Sequence, residues 1–209
     1  MSEISDDEVL TVARVMADSF LDDPLNRAVL EGIVGADKLI QAHSLILARY
    51  ASRTKNLYLL DGTDPRAFLI ACDSRKDSII QHVALGLRIV LKSFTILNKK
   101  DFKRLSANHK ATHDVVDAVW YRQHIRGRYF RIRIAAVDKS IRGTGAFRRL
   151  MTPLFEFCDT HGIPMVLETH NPSNVGLYKH FGFELLRTIS SPQIGIKQFC
   201  MVKKPLTKA

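Results

Sequence analysis

The sequence predicts a single α/β domain in which helices flank a mixed central sheet. Three observations point there. Over residues 128–167 a strand pattern, a helical pattern and a second strand pattern follow one another. That is the order of a βαβ unit, whose strands run parallel and whose crossover should be right-handed. Helical stretches and short strand signals alternate through the first half, and no internal repeat or linker rich in Gly, Ser or Pro divides the chain. The 209 residues, 46% of them hydrophobic, suffice for one sizeable core. Residues 1–209 are therefore read as one domain, with its motif-bearing part at 128–205.

The elements follow in order. Ser5-Asp6-Asp7-Glu8 is a capping box, and Val9, Val12, Val15, Met16 and Phe20 recur behind it at helical spacing until Asp22-Asp23-Pro24. A second helix fits Asp37 to Arg53, with Leu39, Ile40, Leu47 and Tyr50 as core positions. Strands at Leu57–Leu60 and Ala67–Cys72 enclose Asp61-Gly62-Thr63-Asp64-Pro65, a hairpin signal. Helical pattern returns from Asp77 to His124, with breaks near Asn98 and Asn108; the apolar run Val83–Leu91 reads first as an ordinary buried helix, with the lining of an acceptor pocket or a partner surface as the alternative. Arg128 to Val137 alternates, placing Phe130, Ile132 and Ile134 on a core face and Tyr129, Arg131 and Arg133 on a wet one.

After the turn Arg142-Gly143-Thr144-Gly145, the residues Phe147, Leu150, Met151, Leu154, Phe155 and Cys158 form one helical stripe. Pro153 removes a donor inside that helix and His161-Gly162 closes it. Pro164–Leu167 is apolar on both faces, as a buried parallel strand requires. A short helix over Pro172–His180 starts with Asn171 as cap and Pro172 at its first position. Strands at Gly182–Ser190 and Ile196–Lys203 complete the chain.

Composition narrows the partners. Lys plus Arg number 31 against 21 Asp plus Glu, a net +10 that favours anionic ligands. Cys72, Cys158 and Cys200 are widely spaced and odd in number, so they form no disulfide framework and no metal site, and they read as packing residues in a reducing compartment. The acidic start is unlike a signal peptide, and Gln81, His82, Arg88 and Lys92 interrupt the most apolar stretch, Ile79–Leu97. The expectation is a cytoplasmic protein with no membrane partner and no metal.

The chemistry concentrates at two segments. At Arg142-Gly143-Thr144-Gly145-Ala146-Phe147 a strand has ended and a helix begins, so main-chain N–H groups are left free and two glycines clear space for a phosphate. An ordinary βα turn would look much the same. The order V-x4-R-G-x-G resembles the acetyl-CoA motif of the GNAT N-acetyltransferases, Q/R-x-x-G-x-G/A. Arg142, Gly143 and Gly145 match, while Phe147 stands where Gly or Ala is usual. The run from Asn171 through Tyr178 to Gly182-Phe183 resembles the family's closing motif, N-x6-Y-x-x-x-G-F. Phe20-Leu21-Asp22-Asp23-Pro24, Pro153 and the tail Cys200–Pro205 are similar to the puromycin N-acetyltransferase-like subgroup.

The resemblance implies a GNAT acyl-CoA acyltransferase fold with splayed parallel strands. It also implies transfer of an acetyl group from acetyl-CoA to a primary amine of a small molecule, by direct attack in a ternary complex. Ala135, Ala136 and Val137 would pair with the pantetheine arm, and Arg142, Gly143, Thr144, Gly145, Ala146 and Phe147 would hold the pyrophosphate. Arg148, with Arg149, would reach the 3′-phosphate; Asn171 and Asn174 would bond the pantetheine, or serve only as helix-start residues. Tyr178 matches the family's proton donor to the leaving thiolate. Glu168 is the candidate base, against a purely structural carboxylate; His170, His109, His113 and His124 also stand as candidates. A homodimer is left open.

Two rivals of other classes remain. One is a catalytically weak CoA-binding or interaction protein of the same fold, in which Phe147 obstructs the cofactor. The other is a basic nucleic-acid-binding module using Arg126, Arg128, Arg131 and Arg133 with their interleaved aromatics, a pattern that a half-buried strand also explains.

Overall fold

The computed structural model describes residues 4–206. Helix α1, Asp6–Leu21, begins at the capping box: the Ser5 hydroxyl accepts from the Glu8 amide, and the Glu8 carboxylate accepts from the Ser5 amide at 2.7 Å. Its residues Val9, Val12, Val15 and Met16 are buried as the spacing predicts. The chain does not pass straight into a loop after Leu21. Asp23 caps a short helix α2, Pro24–Leu30, whose proline sits in the first turn where no N–H is needed. The Asp-Asp-Pro signal that ends one helix thus also opens another.

Helix α3 spans Ala36–Arg53, β1 is Leu57–Leu60 and β2 is Asp64–Asp73, the two strands forming the expected antiparallel hairpin. Helices α4, Ile79–Ile96, and α5, Lys99–Thr112, follow. Asn98 caps α5, as the break there predicts. At Asn108 no break occurs: its side-chain amide donates to the carbonyls of Val29 and Glu31, so the polar residue ties α5 to α2 without interrupting it. Strand β3 is Phe130–Val137, helix α6 is Ala146–Thr160, β4 is Met165–Thr169, α7 is Pro172–His180, and β5, Glu184–Ser191, and β6, Ile194–Lys203, close the sheet.

The six strands lie in the order β1-β2-β3-β4-β6-β5, and β3–β4 is the parallel pair of the βαβ unit. One face of the sheet packs under α6 and α7, where Leu150, Met151, Cys158 and Tyr178 meet Leu69, Phe130, Leu167 and Met201. On the other face α1 and α3 cover Leu57, Phe68 and Ile70. Around them, the segment 120–129 brings Trp120 and Tyr121 down on Val166, Cys200 and Val202. All three cysteines are buried, and burial pushes their thiols up to between about 11 and about 12. They pack as neutral thiols.

Two expectations about faces are corrected. In β3, Ile132 pairs with Ala71 and Ile134 with Ile70, so Arg133 is the extra residue of a β-bulge. One inserted residue exchanges the faces. Phe130 and Ile132 stay under α6, whereas Ile134 turns to the α1–α3 side. Arg131, assigned to a wet face, is buried. Its charge is compensated inside the protein by Glu168.

The second correction concerns α4. Within it only Leu85 and Ser93 are buried, and its large apolar residues are mostly exposed. The helix is continuous over 18 residues and, by length and composition alone, is long and apolar enough to cross a membrane. The polar residues that should have interrupted it lie within unbroken helical turns.

Candidate active site

The site arises where two parallel strands part. Hydrogen-bonded register between β3 and β4 runs from Phe130–Met165 through Ile132–Leu167 and stops there. Beyond it β3 continues to Val137, paired only with β2, while Glu168 and Thr169 of β4 pair only with β6. The bulge at Arg133 falls where they diverge, and bulges bend a strand and increase its twist. The facing edges of Ile134–Val137 and Glu168–Thr169 therefore border a cleft of about 900 Å³. Ala135, Ala136 and Val137 line it, and Phe20 and Asp23, from the junction of α1 and α2, close its far wall.

At one end of the cleft the chain leaves β3 through a 3-10 turn, Lys139–Ile141, and enters α6. Asp138 holds this loop. Its carboxylate accepts from the Ser140 amide and hydroxyl and from Arg14, contacts that together hold it down at about 2. The Arg142 guanidinium donates to the Val137 carbonyl, and the Thr144 hydroxyl donates to that of Ile141. Gly143 and Gly145 both have positive φ, +78° and +76°, and a side chain added at Gly143 would stand in open space. Gly145 is the N-cap of α6 and supplies no side-chain bond, so the first amides of the helix keep free donors at its positive end. Gly143, Gly145, Ala146, Phe147 and Arg148 all line the cleft. Free amides at a helix start beside open space form a cradle of the kind that can accept an anion such as a diphosphate. Arg148 bonds His180 at 2.9 Å and lies over the Phe181 ring, whereas Arg149 donates to the Thr144 carbonyl and pairs with Asp61 on the loop's outer side.

Phe147 does not stand free in this cradle. Its ring meets those of Tyr178 at 6.1 Å and Phe181 at 5.2 Å, both T-shaped, and packs against the core below α6. Tyr178 is buried on the inward side of α7, its ring also against Phe183, and it borders the cleft. Burial, reinforced by the Glu168 charge, pushes its hydroxyl up to about 12. At the base of α7, Asn171 accepts from the Ser173 amide as N-cap, and Asn174 donates to the Thr169 hydroxyl. Both asparagines have these structural bonds and both line the cleft.

Across from Tyr178 stands Glu168, at the end of β4. One carboxylate oxygen accepts from Arg131 at 2.5 Å and the other from the Trp120 indole at 3.1 Å. Arg131 in turn lies 5.0 Å from the Tyr121 ring centroid. His170 follows two residues later. Its Nε2 is buried with no hydrogen-bond partner among the described residues, and it lines the cleft. Burial holds its pKa below the usual value, against the nearby charges of Asp23 and Glu168, so the ring is neutral at pH 7. A second cavity of about 270 Å³ opens on the other side of Glu168, bordered by Tyr50, Leu85, Ala118 and Arg133. Arg133, Ile134 and Glu168 line both spaces. His109, His113 and His124 lie outside the cleft.

Comparison with known proteins bears on this arrangement. The acetyltransferase (GNAT) family model matches residues 99–183, across β3, α6, β4 and α7. The architecture matches solved acetyltransferases along nearly the whole chain. Arylalkylamine N-acetyltransferase 2 from Aedes aegypti superposes with a TM-score of 0.56 at 19% identity, covering 97% of each chain. A structure from Corynebacterium glutamicum, described as histone acetyltransferase HPA2 and related acetyltransferase, superposes with a TM-score of 0.59 at 14% identity, covering 99% of this chain and 96% of that one. The chain has the GNAT fold. In sequence, it is similar to an uncharacterised N-acetyltransferase of Schizosaccharomyces pombe, 38% identical over 53 residues. That match takes in 25% of this chain and about a fifth, 22%, of the relative's length.

The cleft brings together the residues singled out by sequence except Thr144, Arg149 and the three histidines His109, His113 and His124; the Thr144 hydroxyl is engaged by the Ile141 carbonyl. Sequence reasoning missed Trp120, Tyr121 and Arg131, which hold Glu168 from behind. Trp120 is the chain's single tryptophan, the one signal that could have marked it. Arg128 pairs with Asp73 and Arg131 with Glu168, so these two arginines of the basic strand are engaged inside the GNAT fold.

The cradle makes a direct prediction. Gly145→Val places a β-branched residue at positive φ, which costs about 1–2 kcal/mol locally and distorts the first amides of α6. Calorimetry should find coenzyme A bound at least about tenfold more weakly, a change of about 1.4 kcal/mol, with the far-ultraviolet circular dichroism unchanged. Unaltered affinity would remove the cradle from the site.

Proposed function

We propose that the chain is an N-acetyltransferase that moves the acetyl group of acetyl-CoA to a primary amine of a small molecule, by direct attack in a ternary complex. The resemblance of its motifs to the puromycin N-acetyltransferase-like enzymes supports this reading. One observation carries this reading: the parting of β3 and β4 after Ile132 lays an unpaired main-chain edge between the amide cradle at Gly143–Phe147 and the Tyr178 hydroxyl. The name of the Schizosaccharomyces pombe relative and the match to the GNAT family model support it.

The residues fit the co-substrate. The free edge of Ala135–Val137 would take the amides of a pantetheine arm as a neighbouring strand would, and the Gly143–Phe147 amides with Arg148 would hold its phosphates. Acetyl-CoA supplies an activated acyl group and a thiol leaving group. Tyr178, which borders the cleft, would then act as the donor to the departing sulfur. A phenol at about 12 is a weaker acid than a thiol near 8.5, so Tyr178 stabilises the departing charge through a hydrogen bond more than by complete proton transfer. The acceptor would enter by the space bordered by Tyr50 and Arg133, which meets the cleft at Glu168.

Proton removal belongs to the Glu168–His170 side. The carboxylate of Glu168 already accepts one bond at each oxygen; it works through water and sets the local field. His170, whose Nε2 has no hydrogen-bond partner among the described residues, is the proposed proton acceptor. The sign follows from its lowered pKa: the competent neutral ring dominates above that pKa and is lost as pH falls through it, below the usual 6.5. Thiol release from acetyl-CoA with a panel of primary amines tests the reaction. In its pH profile, kcat should fall on the acid side at a pH below 6.5, and His170→Gln should lower kcat by about tenfold or more and abolish that limb. No turnover with any amine overturns the proposed function. A limb unchanged in His170→Gln overturns only the role of His170.

A further inference from the structure

We propose that α4 docks the protein on an anionic phospholipid surface, lying in the plane of the interface. Along this helix Ile80, Val83, Leu87, Leu91 and Phe94 recur at helical spacing on the outward side, with Ile79 beside them, and all six are 56–81% exposed. The inward side is the smaller one: Leu85 and Ser93 are buried, with Ile89 and Ile96 half-buried. The ordinary amphipathic order is thus reversed, and a contiguous aliphatic face this long on a surface marks an interaction site. The patch continues onto α5, where Phe102 stacks on Phe94 at 3.9 Å between centroids.

Charge identifies the occupant. Between Arg75 and Lys110 there are nine Lys and Arg against two acids, Asp77 and Asp101, a net +7 of the chain's +10. Asp101 is buried and Asp77, largely covered, bonds His82, so neither carboxylate stands on the exposed face. Arg88 and Lys92 flank the apolar row, and Lys99, Lys100 and Lys103 extend the basic rim along α5, all exposed. An apolar face rimmed by cations is the pattern of an interfacial helix on acidic lipid. A second copy seated face to face would set this +7 against itself, and a nucleic acid offers nothing to an aliphatic row.

The helix lies on the surface and does not cross it. The Ser93 hydroxyl sits 3.0 Å from His43 Nε2 on α3, Ser78 caps the start of α4, and Asn98 leads directly into α5. Spanning a bilayer would break all of these. Leu85, on the inward side, borders the space assigned to the acceptor, so docking would set that entrance near the lipid surface.

Co-sedimentation of the full chain with phosphatidylcholine vesicles, with and without phosphatidylserine, tests the proposal. Binding is expected with phosphatidylserine only, and should weaken steeply as salt is raised. The double variant V83D/L87D should bind at least about tenfold more weakly with an unchanged thermal melt, since both positions are exposed. The pair K99E/K103E should lose a similar factor while leaving the apolar row intact. Failure to bind phosphatidylserine vesicles at low salt overturns the proposal. So does a dimer in sedimentation velocity that V83D/L87D converts to monomer, which would make the face a contact between copies. Neither outcome touches the thiol-release assay.

Discussion

Tyr178→Phe is expected to lower kcat by about a hundredfold while the KM for acetyl-CoA changes less than about threefold. The substitution removes one hydroxyl and keeps a ring that packs on Phe147 and Phe183, so the core under α6 and α7 is preserved. What is lost is the proposed donor to the leaving sulfur, whose contribution would count only as charge develops there. Because burial holds the phenol near about 12, the wild type should show no alkaline loss of kcat from this group until the pH approaches that value. Steady-state thiol release across pH, with coenzyme A affinity measured by calorimetry in both proteins, checks both statements. Full activity of the variant with every accepted amine would remove Tyr178 from the mechanism. A variant that loses coenzyme A affinity as well would assign the ring to packing.

Local chemistry made much of this readable in advance. The capping box at Ser5–Glu8, the Asn171-Pro172 helix start and the glycines at 143 and 145 each act through a neighbouring backbone group, so spacing alone places them. The turn beside the cleft was legible for the same reason, whereas Tyr178 was singled out by the resemblance of its motif to that of the GNAT family. What stayed hidden depends on distant segments. The bulge at Arg133 is a property of the register with β2, and alternation counted along one strand cannot reveal it. Trp120 reaches Glu168 across 48 positions, and Arg131 looks like a solvated arginine until its partner on β4 is known. Helix α4 misled because an apolar run is normally buried: the helix packs by its narrow side and leaves the wide one outside.

The network behind Glu168 carries the largest expected effect on stability. Arg131 is 7% exposed, and its Nε has no partner among the described residues. Its guanidinium is compensated by Glu168, which outweighs the burial that would otherwise discharge it and holds the Arg131 pKa above its usual value. Glu168→Ala leaves that cation in a low-dielectric wall and frees the Trp120 indole N–H as well. The expected loss is about 3–5 kcal/mol, large against the total stability of a domain. Glu168→Gln keeps the volume and an acceptor but not the charge, and should fall between the two. Removing both charges distinguishes an uncompensated cation from a simple cavity. Glu168→Ala with Arg131→Met should be more stable than Glu168→Ala alone, with a coupling of about 1–3 kcal/mol in a double-mutant cycle read from urea unfolding. Equal midpoints for Glu168→Ala and the wild type would mean that this carboxylate supports nothing structural and is held for chemistry alone. A stable Glu168→Gln with low kcat would place it in the proton path beside His170. The stability and kinetic readouts thus separate a structural role of this half-buried carboxylate from the proposed catalytic one, at the point where the strands part.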